Sequence, residues 1–297
     1  MILPQSILLG ATFPLLAAGL LRRFPNNSGR TLATLYFVNS FGAAVGILTN
    51  AFFFIPKLGL PGSVLTAGLI NIVIAIAIYY FSKADHYPAV TKEHTPSNTN
   101  IKLLPVLLMV AAFTGLASFM YEIAWIRMLS MVLGGSTHSF EIMLSAFILG
   151  LALGSLIIRR YIDTIKHPLY TLGCIQICMG LLAAMTIPMY NQTFSVMGFA
   201  LDALENSDSG YILFSAFSLI ISLLVMLPVT ICAGTTLPLV TNILLRNGAH
   251  DKTIGKVYAF NTLGSIVGIA LAVQIVCLLY TSPSPRDATL SRMPSSA

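Results

Sequence analysis

Two carboxylates stand inside stretches otherwise suited only to hydrocarbon. Glu122 sits in the run ASFMYEIAWIRM with Trp125 and Arg127 close by, and Glu141 follows His138 by three residues. A charged side chain at the centre of a bilayer costs about 2.5–3.5 kcal/mol on insertion scales, so it normally faces a cavity or a partner. Glu122 and Glu141 are therefore candidates to carry a proton or a cation. The plainer role is structural: His138 and Glu141 snorkel at the outer interface, and Glu122 fixes helix packing. Glu122 and Arg127 are five residues apart, which is not one helical face, so a direct pair within the helix is not expected. Asn39 and Asn261 hold matching places in two similar stretches, where they either line a central cavity or bond between helices. The sequence carries no nucleophile triad, zinc site or phosphate loop. His86 and His94 are scattered, and Cys174 and Cys178 lie in an apolar run as small hydrophobes. No catalytic residue, metal, cofactor or nucleic-acid partner is expected.

The stretch that positions these residues occurs twice. Residues 10–46 read GATFPLLAAGLLRRFPNNSGRTLATLYFVNSFGAAVG, and residues 234–268 read GTTLPLVTNILLRNGAHDKTIGKVYAFNTLGSIVG. Each has Gly and Pro four residues apart (Gly10 and Pro14, Gly234 and Pro238), then a basic turn, then Y-x-x-N-x-x-G-x-x-x-G. The first copy supplies Tyr36, Asn39, Gly42 and Gly46; the second supplies Tyr258, Asn261, Gly264 and Gly268. The glycines form small-x-x-x-small faces on which a neighbouring helix can approach closely. A self-match of this length implies a duplicated half.

With 56% hydrophobic and 9% charged residues and a mean hydropathy of +0.86, the chain lies far from the soluble average of about 25% charged. An all-α polytopic membrane protein is expected, embedded in a lipid bilayer. Apolar runs of about 20 residues, the length needed to cross, lie at roughly 3–21, 32–55, 62–81, 103–126, 139–158, 168–188, 211–245 and 255–275. Turns are expected at Phe24 to Arg30, Pro56 to Gly62 and Gly134 to Ser136, and a longer acidic loop at 189–210. The run at 211–245 must tilt, kink at Pro228 or project. Residues 82–102, rich in Pro, Ser, Thr and Asn, read as a cytoplasmic linker between the halves.

Two further stretches carry a resemblance. GLASFMYEIAWIRMLSMVLGGSTHSFEIMLSAFILGLALGSLIIRRYID, followed by GTTLPLV and GKVYAFNTLGSIVG with their first-half copies, resembles the membrane portion of fused major-facilitator/spermidine-synthase proteins. Gly154, Arg159, Arg160 and Asp163 are similar to the loop after the second helix of a major-facilitator half, where glycine, arginine and aspartate clasp helix ends. Here Asp163 follows the arginines, with Lys166 and His167 in place of the usual basic end. The resemblance implies a major-facilitator-like bundle with two repeated halves, truncated at both ends. Residues 1–81 would be the C-terminal part of the first six-helix half, and 103–275 helices seven to eleven.

The loops assigned to the cytoplasm hold Arg22, Arg23, Arg30, Lys83, Lys92, Lys102, Arg159, Arg160, Lys166, Arg246, Lys252 and Lys256. The other side holds Lys57 and Arg127 with Asp202, Glu205 and Asp208. That bias fits positive-inside orientation and a cell (inner or plasma) membrane. The resemblance implies one of two functions: transport of a small, polyamine-related solute, or a non-transporting platform for an aminopropyltransferase-like domain. The glycine-rich nucleotide fold of that domain is absent from this sequence, so no enzyme activity is expected of it. The chain opens inside an apolar segment, which reads as an internal start. Residues 276–297 include CLLYTSPSPRD and SRMPSSA, whose encoding resembles a transposon-type sequencing adapter read in frame, and they are expected not to belong to the fold.

Overall fold

In the computed structural model, residues 3–24, 27–84, 103–203, 208–249 and 252–280 are described. All elements among them are helical: α1 (Leu3–Arg23), α2 (Ser28–Thr49), α3 (Ile55–Ala84), α4 (Leu103–Leu133), α5 (Thr137–Tyr161), α6 (Pro168–Ala203), α7 (Asp208–Arg246) and α8 (Lys252–Tyr280). Seven helical stretches are long and apolar enough to cross a membrane, with Ser28–Lys83 counted as one of 56 residues. This is a multi-pass membrane protein. With no water in lipid to satisfy the backbone, each apolar run closes its own hydrogen bonds as helix.

The turn between α4 and α5 forms as expected, because Gly134 adopts φ 84 and the Ser136 hydroxyl caps α5 by accepting from the Ser139 amide at 3.1 Å. Other expectations are corrected. Pro56 to Gly62 is not a separate turn. A π-helical stretch (Asn50–Phe54) leads directly into α3, which breaks at Gly59 with φ 66 and ψ 179. One glycine absorbs the change of direction that a loop was expected to make. The loop expected from residue 189 is helix as far as Ala203, because Thr193 and Met197 are buried and Met197 packs into the cluster around Trp125 and Ile221. α7 is a single helix of 39 residues, about 58 Å at 1.5 Å per residue, so it tilts or projects from a hydrocarbon layer about 30 Å thick. The linker beyond Ala84, Glu205 and residues 281–297 lie outside the described residues. The backbone of residues 276–280 continues α8.

Two parallel pairs make the core. α5 runs beside α7, with Gly154 against Ile231 and Gly234, and Gly234 against Leu151. The Ser155 hydroxyl donates to the Gly234 carbonyl at 2.9 Å. α4 runs beside α8, with Gly264 against Ala112, Gly268 against Leu116, and Gly115 against Asn261 and Ser265. These glycines let the backbones approach closely where lipid offers no hydrophobic drive to association. Gly154 thus lies within α5 rather than in the loop expected around it. α2 packs antiparallel on α5, where Ser145 donates to the Ala44 carbonyl at 3.3 Å. Gly42 and Gly46 were expected to receive a neighbour, yet each has no atom within 4 Å of where a β-carbon would stand. α5 occupies the Ala44 side of α2 and leaves the glycine side bare.

Candidate functional site

The two copies of the repeat meet at the end of the bundle that carries the basic loops. A small cavity there is lined by Phe13, Leu32 and Tyr36 from α1 and α2 and by Leu237, Pro238, Thr241, Ile254 and Tyr258 from α7 and α8. Aligning the repeats pairs Phe13 with Leu237, Leu32 with Ile254 and Tyr36 with Tyr258. Six of the lining residues are therefore repeat-equivalent partners facing one space. Phe13 stacks on Tyr258, with ring centroids 4.7 Å apart and planes at 23°, and meets Tyr36 edge-on at 5.7 Å. Both arrangements are favoured by the ring quadrupole. The two tyrosines turn inward, where the aromatic ring of Phe13 offers them a packing surface.

Around this cavity a clasp joins α2, α5 and α7. Arg30 donates its backbone N–H to Asp163 Oδ2 at 3.0 Å, so a side chain 133 positions later satisfies an otherwise open donor in the first turn of α2. Arg246, at the end of α7, donates to the carbonyls of Ile162 at 2.9 Å and Ile165 at 3.0 Å. It thereby neutralises the carbonyls that follow α5. Asn242, 1% exposed, donates Nδ2 to the Ile162 carbonyl at 3.1 Å. A methyl on Gly29 would fall against Asp163 Oδ1 and Asn242 Oδ1. Of the expected loop residues, Asp163 enters the clasp, while Arg159 and Arg160 end α5. Replacing Asp163 with Ala is expected to lower stability by about 0.5–2 kcal/mol, the usual cost of a lost cap. Asp163→Asn, which keeps an acceptor, should recover most of it. Equal melting temperatures for the Ala and Asn variants in detergent would show that the cap contributes nothing.

The carboxylates lie elsewhere. Glu122 is 8% exposed and shares its helix face with Trp125, whose Nε1 donates to Thr186 Oγ1 at 3.1 Å. Arg127 is exposed on another face, so the two do not come together. Glu141 Oε2 lies 3.2 Å from His138 Nδ1, and the His138 ring packs on Phe52 at 4.7 Å. This pair lies in the first turns of α5, at the end of that helix away from Arg159 and Arg160. Neither asparagine lines the cavity: Asn39 is exposed, and Asn261 lies against Gly115.

The chain matches no family model, no curated protein and no solved structure.

Two buried or half-buried polar residues that tie helices together were not singled out from sequence. Gln176 donates to Thr114 Oγ1 at 3.3 Å and Thr236 Oγ1 at 3.2 Å, tying α6 to α4 and α7. A glutamine within an apolar run was the available signal. Asn242 was hidden by the repeat itself, since its first-copy counterpart is Ala18.

Proposed function

We propose that this chain is part of a transporter-like domain resembling the membrane portion of fused major-facilitator/spermidine-synthase proteins, set in a cell (inner or plasma) membrane. The observation that carries the reading is the cavity at the basic-loop end, where Tyr36, Leu32 and Phe13 oppose Tyr258, Ile254 and Leu237. Two units built on one plan and touching through equivalent residues can separate there and admit a solute, then close again. Parallel pairing of α4 with α8 and α5 with α7, and the packing of α2 on α5, support the same plan. A small, polyamine-related cation is the proposed solute, with the buried Glu122 as the group that meets its charge.

The second reading is a platform that holds an aminopropyltransferase-like domain and moves nothing. The apolar lining of the cavity, in which Thr241 and the two tyrosine hydroxyls are the side-chain polar groups, favours it.

One measurement separates the two. The full-length protein that carries this chain is reconstituted in liposomes with labelled spermidine outside, and a Tyr36→Cys/Tyr258→Cys variant is compared oxidised and reduced. Transport predicts uptake by the unaltered protein and a block under oxidation that reductant lifts. Liposomes that take up no more than protein-free ones would sink the transport reading and leave the platform.

A further inference from the structure

We propose that Cys178 and Cys232 form a redox modification site open to the hydrocarbon, where lipid peroxyl radicals convert the two thiols into one disulfide between α6 and α7.

The packing of α6 on α7 brings the two sulfurs together. These helices are consecutive and in contact, so they run antiparallel. Gln176 of α6 donates Nε2 to Thr236 Oγ1 of α7 at 3.2 Å, and the Thr236 hydroxyl in turn donates to the Cys232 carbonyl at 3.2 Å. Two residues on from Gln176 and one turn back from Thr236, the side chains of Cys178 and Cys232 face each other, close enough for a hydrogen bond between the thiols. Met179, the next residue of α6, packs into the apolar cluster that Cys232 borders. Two thiols in contact across a helix pair meet the first requirement of a disulfide.

Their position decides which oxidant reaches them. Cys178 is exposed and Cys232 half-buried. Cys178 lies midway along the apolar span Pro168–Tyr190. Leu181 and Met185, at steps of three and four residues along the same side, are exposed as well, so this side of α6 meets acyl chains. Thiol oxidation by a water-soluble peroxide begins with a thiolate, and ionisation there would place a charge in hydrocarbon. Hydrogen-atom transfer keeps every species neutral. A first peroxyl radical takes the hydrogen atom of Cys178 and leaves as a lipid hydroperoxide, with a thiyl radical on Sγ. Cys232 passes its own hydrogen to that thiyl across the contact, so the exposed sulfur can meet a second radical in the same way. The two thiyl radicals then pair as the S–S bond. Two S–H bonds break, two O–H bonds and one S–S bond form, each sulfur loses one electron and each peroxyl radical gains one.

The test uses the full-length protein that carries this chain, reconstituted in vesicles of polyunsaturated phosphatidylcholine, with a lipid-soluble azo initiator generating peroxyl radicals in air. Peptide mapping by mass spectrometry without reduction should show Cys178 joined to Cys232 in a species lighter by two hydrogens, absent without initiator and split by reductant. Cys178→Ser should abolish the linked species, and Cys174→Ser should leave it at the parent level. Both positions are exposed, so both variants should melt like the parent. Hydrogen peroxide applied to vesicles of saturated lipid should give no link. Absence of the linked peptide under peroxyl flux overturns the proposal, as does a link from Cys174 to Cys232 in its place. An equal yield with hydrogen peroxide in saturated lipid would overturn the lipid-radical route.

Discussion

Replacing Gly264 with leucine should separate α8 from α4, while the same change at Gly42, its counterpart in the repeat, should leave the isolated chain unchanged. A β-carbon on Gly264 would fall inside the contact with the Ala112 backbone, whereas Gly42 faces open space. Overpacking a filled core costs about 1–3 kcal/mol, occasionally more, and here the obstruction is backbone, which cannot rotate away. Gly268, against Leu116, would have to shift as well. The expected outcome is a large fall in melting temperature, or loss of monodisperse protein, for Gly264→Leu. Gly42→Leu should stay near the parent value. Equal losses at both positions would mean that the repeat glycines serve helix propensity or insertion rather than contact.

Replacing Glu122 with glutamine in the reconstituted full-length protein should reduce spermidine uptake to the level of protein-free liposomes and leave folding intact. The side chain is buried and its face is shared with Trp125 and Leu129, which belong to the principal apolar cluster. Glutamine keeps the shape and loses the charge that a cation would meet, so binding fails while packing persists. If Glu122 instead fixes the bundle, the same variant should melt lower in detergent and any uptake by the surviving protein should be normal. Normal uptake with normal stability would remove Glu122 from both roles.

Much of this arrangement was legible because lipid leaves the chain few choices. Each apolar run had to be helix, and each of the eight is. Hydropathy located the centres of the helices but not their ends. α6 outruns its apolar core through Asn191 and Gln192, because Thr193 and Met197 on one side remain buried against the bundle. The glycine faces were visible as spacing, but the spacing is identical in the two copies. Whether a neighbour is present depends on residues over a hundred positions away, so Gly264 is filled and Gly42 is not. The site was legible in part. Tyr36 and Tyr258 were paired by the repeat, yet their shared cavity required knowing that α1 and α2 approach α7 and α8. Asp163 was marked by its likeness to a clasp, whereas Asn242 and Arg246 enter through carbonyls that no side-chain pattern records.

The antiparallel contact of α2 with α5 has a consequence for synthesis. Ala44 and Ser145 are 101 residues apart, and a ribosome adding about 5–20 residues per second needs about 5–20 s to deliver the second after the first. Throughout that interval the earlier helix is in the bilayer without its mate, exposing its glycine side and its Ala44 side alike to whatever else the insertion machinery holds. Pausing translation between α3 and α4 should lengthen that unpaired interval in proportion.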